Sequence, residues 1–122
     1  MSQSKLNSDC LVTELNDQFR REMCSKGYSA TIPGKLVFTA GITALSVEQQ
    51  TTLLNDIYNF KDFTPDNDPY GKHDFGKITL AGVGDIFWKI DYYDTSLEFG
   101  SESPADTSKT VRVLTPMLVE EY

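Results

Sequence analysis

Apolar residues recur at helical spacing in the first half of this chain and at strand spacing in the second, and the two patterns do not interleave. From Ser8 to Lys26, Leu11, Leu15, Phe19 and Met23 stand at every fourth position with Val12 beside them, while Asp17, Arg20, Arg21 and Glu22 take the other faces. The spacing predicts an amphipathic helix, capped by Asn7 or Ser8 and ended by Gly27. After Pro33 and Gly34, the stretch Lys35 to Leu45 is rich in apolar and β-branched residues and too interrupted by Gly for a helix, so it reads as a largely buried strand. Ser46 followed by Gln49 makes a capping box ahead of Leu53, Leu54, Ile57, Tyr58 and Phe60, which predicts a second helix.

Ile78 to Ala81, Ile86 to Tyr93, Ser96 to Phe99 and Thr110 to Val119 are short β-favouring runs separated by turn residues, which indicates a meander of hairpins. Alternation puts Ile86, Trp88, Ile90 and Tyr92 on one face, under the helices, and Phe87, Lys89, Asp91 and Tyr93 on the other. Pro116 cannot donate to a ladder, so the last strand is expected at an edge or broken there. Helical periods that precede strand periods predict an α+β fold with two N-terminal helices packed on one face of a four- to five-stranded, mainly antiparallel sheet. A flexible tail is expected over residues 1–6 and a single α+β domain over 7–122. At 122 residues and 13.7 kDa, folding buries roughly two thirds of the unfolded surface, enough for one core without disulfides or metal.

The chain carries 11 Lys and Arg against 18 Asp and Glu, a net charge of −7. This lacks the phosphate attraction of a nucleic-acid binder, so no direct nucleic-acid contact is expected. No apolar run approaches the roughly 18 residues of a membrane span, and the first residues, with Asp9, Glu14 and Asp17, are not a signal peptide. The expectation is a soluble cytoplasmic protein without a membrane partner. Cys10 and Cys24, if on one helix, stand about 21 Å apart and read as reduced thiols. The acidic surplus is entirely in the second half, where 12 acidic residues follow position 61 against 5 basic ones.

The densest polar segment is Lys61 to Gly76, with Asp62, Asp66, Asn67, Asp68, His73 and Asp74. A connection of that length without periodicity is usually functional or disordered. Asp66, Asp68 and Gly71 approach a calcium loop, but its fifth position is Tyr70 and its twelfth Lys77, so no metal is expected and no cofactor. His73 beside Asp74 could be a general base held by a carboxylate, or a loop histidine acting as a hydrogen-bonding pin. Trp88, Tyr92 and Tyr93 with Lys89 and Arg112 offer aromatic faces beside cations for an anionic or nucleotide-like ligand, or they are core.

Asn16-Asp17-x-Phe19-Arg20, Asn67-Asp68-Pro69-Tyr70-Gly71-Lys72-His73-Asp74-Phe75-Gly76, Phe87-Trp88-Lys89-Ile90-Asp91-Tyr92-Tyr93-Asp94 and Arg112-Val113-Leu114-Thr115, ending in Glu121-Tyr122, together resemble domain-of-unknown-function family 3768 of small bacterial and phage or plasmid proteins. The resemblance runs from about residue 14 to the C-terminus and brings no established activity. It departs at Lys72, where the family pattern has Glu, and at Pro116, where it has an aliphatic residue. It implies one shared surface or buried network across Asp66, Asn67, Asp68, Tyr70, His73, Asp74, Trp88, Lys89, Asp91, Tyr93 and Arg112. Within it, Arg112 and Lys89 would neutralise some of Asp68, Asp74, Asp91 and Asp94.

The function expected from these features is that of a non-enzymatic acidic binding protein, a mobile-element or phage-type inhibitor engaging a basic surface on a host protein through the acids of its second half. The alternative is a protein that sequesters an anionic or nucleotide-like small molecule, or a small hydrolase, using His73, Asp74, Trp88 and Arg112. Oligomeric state is left open.

Overall fold

The structure, a computed structural model, describes residues 2–122, with side chains described from Cys10 onward. Helix α1 (Ser2–Ser25) is followed by β1 (Gly34–Leu36), α2 (Ala40–Thr43), α3 (Val47–Tyr58), β2 (Phe75–Leu80), β3 (Gly84–Tyr93), β4 (Val111–Leu118) and a closing 3-10 turn at Val119–Glu121. The fold is α+β, with three α-helices among the described residues where two were expected. Four strands run in the order β1-β4-β3-β2. The pairs β2–β3 and β3–β4 are antiparallel, but β1 is parallel to β4, so the sheet is mixed. Helix α1 starts ahead of Ser8 and takes in residues 2–6, expected as a tail; Met1 lies outside the described residues.

The buried stripe of α1 is rotated from the expected one. Val12, Asn16, Phe19, Arg20 and Met23 are buried, whereas Leu11 is exposed and Leu15 half-buried. Asn16 and Arg20 meet polar partners inside the protein, and a satisfied polar side chain can hold an inward position that spacing alone assigns to leucine. Helix α3 begins as its sequence dictates: the Ser46 hydroxyl accepts from the Gln49 backbone N–H at 3.0 Å, and the Gln49 side chain accepts from the Ser46 N–H at 3.0 Å.

The segment expected as one strand from Lys35 to Leu45 divides. Gly34 to Leu36 pair with Arg112 to Leu114, and a Cβ at Gly34 would collide with the Phe19 ring and the Arg112 carbonyl, so glycine permits α1 to cross there. Beyond it, Glu121 ends the strand by claiming the backbone for α2. Its carboxylate accepts from the Thr39 hydroxyl at 2.7 Å, the Gly41 N–H at 2.9 Å and the Leu118 N–H at 2.8 Å. These contacts hold the Glu121 carboxyl below its ordinary value, the Thr39 hydroxyl contributing most. Ser96 to Phe99 is a turn and no strand, because the Asp94 carboxylate gathers the N–H groups of Ser96, Glu98 and Phe99.

Strand β4 continues unbroken through Pro116. The Arg112 N–H donates to the Pro33 carbonyl and the Leu114 carbonyl accepts from the Val37 N–H, so even-numbered residues of β4 turn their backbone groups toward β1. Pro116 shares that direction beyond the end of β1, and its missing N–H leaves the β3 ladder intact.

Trp88 stands in register with Gly76 on β2 and Pro116 on β4 and has no exposed surface. It belongs to one buried cluster with Phe19, Met23, Ile42, Leu53, Ile57, Ile86, Ile90 and Leu114. Phe60 meets its ring edge-on at 5.4 Å, and a Cβ at Gly76 would collide with the indole nitrogen. On the opposite face Phe75, Phe87 and Tyr122 form a smaller aromatic group. The indole N–H has no hydrogen-bond partner among the described residues. Trp88→Ala is therefore expected to cost about 3–5 kcal/mol in denaturant unfolding, while Trp88→Phe, which also removes the unsatisfied donor, costs roughly 1–2 kcal/mol. Equal losses in the two variants would show that the indole nitrogen contributes what the packing is credited with here.

Candidate functional site

Two buried arginines organise the polar interior. Arg112, on β4, donates through Nε to the Asn16 carbonyl oxygen at 2.8 Å and through Nη2 to the Pro104 carbonyl at 2.7 Å, with its guanidinium 5.2 Å above the Tyr92 ring. Asn16 in turn donates through Nδ2 to the Tyr92 hydroxyl at 2.7 Å and to the Lys72 carbonyl at 2.9 Å. The Tyr92 hydroxyl donates to Asp74 at 2.8 Å. Every donor in the sequence Arg112, Asn16, Tyr92, Asp74 points the same way, which fixes the Asn16 amide. Burial and the Asp74 carboxylate push the Tyr92 hydroxyl pKa upward, and burial lowers that of Arg112.

Arg20, on α1, donates to the Asp17 carboxylate at 2.8 Å and to the carbonyls of Ile57 and Phe60 at 3.1 and 3.3 Å. Its guanidinium lies 5.5 Å from the Phe63 ring and 5.4 Å from that of Trp88. Burial lowers its pKa, against the opposing pull of Asp17. The other Asp17 contact is His73: Nδ1 is 3.0 Å from the carboxylate, Nε2 is 3.8 Å from Asp68, and the imidazole lies flat on Phe63 at 3.8 Å. Asp68 also accepts from the Lys72 and His73 N–H groups, which holds His73 at a left-handed φ of 57°. Both imidazole nitrogens thus face carboxylates and one ring face is covered, a geometry suited to clasping the 59–74 connection onto α1.

The structure brings Asp68, His73, Asp74 and Arg112 into one region and disperses the other expected site residues. Asn67 pins its own turn, accepting from the Thr64 N–H and donating to the Asp62 carbonyl. Asp66 is exposed, and Tyr70 is 84% exposed. Trp88 lies in the core. Lys89 and Asp91 pair with each other at 2.9 Å on the opposite face of the sheet, which Tyr93 shares. Arg112 does not pair with a carboxylate as expected: among the described residues it has no ion pair, and carbonyl oxygens accept from its Nε and Nη2 instead. The hydrogen bonds of Asn16, Asp17 and Arg20 to β4 and the 59–74 connection were not foreseen; the available signal was polar residues at helical spacing beside Val12, Phe19 and Met23.

Among the described residues, no group of three or more His, Cys, Asp or Glu side chains could hold a metal ion. Cys10 and Cys24 are free thiols, and burial pushes Cys24 up to about 12. No described helix is long and apolar enough to cross a membrane. A cleft of about 410 Å³ is walled by Val12, Lys72 and residues 102–106, Pro104 among them.

An α+β domain with a hydrogen-bonded arginine at the junction of its helix, sheet and connections is the class that this geometry defines. Residues 38–121 match the family described as protein of unknown function (DUF3768), and the chain belongs to that family. The match leaves α1, with Asn16, Asp17 and Arg20, outside it. No curated protein and no solved structure matches the chain.

Asn16→Ala orphans the Arg112 Nε–H and the Lys72 carbonyl together, so it is expected to lower stability by about 2–4 kcal/mol. Amide exchange at Lys72 and His73 should quicken more than at Ile86 or Ile90, as the connection loses its tie to α1. Unchanged exchange there would mean that Asn16 does not anchor the connection.

Proposed function

We propose that the protein acts by binding, as a non-enzymatic acidic module that engages a basic surface on another protein. The observation that carries this reading is the placement of its unpaired acids. β2 begins, β3 ends and β4 begins at one end of the sheet, so connections 59–74 and 94–110 both emerge there, and Lys72 of one shares a cleft with residues 102–106 of the other. Asp62, Asp66, Asp94, Glu98, Glu102 and Asp106 lie on these connections with no Lys or Arg in ion-pair range among the described residues. Asp94 and Asp106 are held in the carboxylate form by neighbouring donors, Ser96 and Ser108 foremost. Exposed carboxylates on these connections add to a negative field that speeds encounter with a cationic partner.

In this reading the helices cover the Trp88 face of the sheet, the location is the cytoplasm, and the partner is a host protein whose own ligand is a polyanion, blocked by a phage-type inhibitor. The small-molecule alternative draws less support, since Trp88 and Arg112 have no exposed surface and the His73 nitrogens face carboxylates.

Asp66, Glu98 and Glu102 are suited to the test, because their carboxylates make no hydrogen bond or ion pair among the described residues. The triple variant Asp66→Asn, Glu98→Gln, Glu102→Gln should keep its melting temperature. It should retain less partner than the parent at about 50 mM salt, and both should release it by about 500 mM as the Debye length falls below 5 Å. A partner held equally by parent and variant at both salt concentrations would overturn the reading.

A further inference from the structure

Strand β2 ends the sheet, and its outer edge carries an unused set of backbone groups. The Ile90 N–H donates to the Asp74 carbonyl, and the register continues as Phe75 opposite Lys89 and Gly76 opposite Trp88. In an antiparallel ladder the inward pairs alternate, so Asp74, Gly76, Ile78 and Leu80 face β3, whereas Phe75, Lys77 and Thr79 turn N–H and C=O outward. None of these outward groups has a backbone partner among the described residues. Beside this edge runs a groove of about 460 Å³ between β2, the Phe60–Asp62 segment, and Asp56 and Asn59 at the end of α3.

We propose that the β2 edge and this groove receive an extended, lysine- or arginine-bearing segment of a partner protein, added to the sheet as a fifth strand. That the segment is basic rests on the reading of the acidic surface above; the pairing mode goes beyond it. Main-chain bonds from Phe75, Lys77 and Thr79 supply affinity, and alternate side chains of the added strand reach the groove. There Asp56 and Asp62 have no Lys or Arg in ion-pair range among the described residues; of the two bases that line the groove, Lys77 is already opposite Asp85 at 3.9 Å, which leaves Lys61 against two acids. A second copy of this chain fits less well. The antiparallel register that pairs Phe75 with Thr79 of the other copy, so that the outward groups meet, sets Lys77 against Lys77, and like charges directly opposed destabilise a sheet.

Amide resonances of the full chain, followed while a short blocked peptide of alternating lysine and valine is added, test this. Phe75, Lys77 and Thr79 should shift, and a peptide with glutamate for lysine should leave them in place. The double variant Asp56→Asn, Asp62→Asn should weaken binding roughly five-fold, as expected for two partly exposed charge pairs. Thr79→Pro removes an outward donor without touching the β3 ladder and should abolish the shifts; if that variant does not fold, the double variant decides. Shifts confined to residues 94–109 would overturn the edge pairing while leaving the acidic-surface reading standing. Equal binding of the two peptides would overturn the charge assignment, a doubling of molecular mass would assign the edge to a second copy, and no shift anywhere would count against both readings.

Discussion

Arg112 is the group on which the arrangement of the molecule turns. A guanidinium withdrawn from water without a carboxylate beside it is costly unless donors are satisfied, and here an amide oxygen from α1 meets Nε, a carbonyl from the 94–110 connection meets Nη2, and the face of a tyrosine covers the plane. Each partner comes from a different part of the chain, so desolvating one side chain requires all of them in place. Asn16 carries the requirement onward, because the amide that accepts from Arg112 also donates to Tyr92 and to the Lys72 carbonyl. One nitrogen, Nη1, stays without a partner among the described residues. The interior is thereby specific in geometry at some expense in stability.

What local pattern dictates, the sequence made legible. The capping box at Ser46, the alternation through Ile86, Trp88 and Ile90, and the hairpin turn before Gly84 are each contained within a few residues. What depends on distant partners was not. Asn16 and Arg20 resemble solvent-facing residues until Arg112, Ile57 and Phe60 are known to be across from them. Thr39 to Gly41 read as strand until the carboxylate of Glu121, some eighty residues on, accepts from the Thr39 hydroxyl and the Gly41 N–H. The parallel register of β1 on β4 likewise has no local signal, since three residues carry it. The network implied by the family resemblance grouped Asp68, His73, Asp74 and Arg112 with Lys89, Asp91 and Tyr93, and it could not show that the last three lie on the far side of the sheet or that Asn16 links Arg112 to Tyr92.

The same network bears on function. Residues that a sequence reader would assign to chemistry, a histidine beside an aspartate and an arginine beside aromatics, are occupied in holding α1, the sheet and two long connections together. Under the proposed binding function, connections tied down in this way display the charge that a partner meets, and such pre-organisation lowers the entropy lost on docking. In the proposed reading the histidine clasp and the buried arginine are the frame, and the exposed acids and the open strand edge are the surface offered to a partner.

The pairing of β1 with β4 and the grip of Glu121 on α2 also set an order in time. On a ribosome the N-terminal half emerges first, with helical segments able to form locally, yet Gly34 to Leu36 have no strand to join and Asn16 has no arginine to bind. Contacts that span so much of the chain delay closure of the core and slow folding. The nascent protein must therefore wait, with Phe19 and its neighbours uncovered, until β4 has been synthesised.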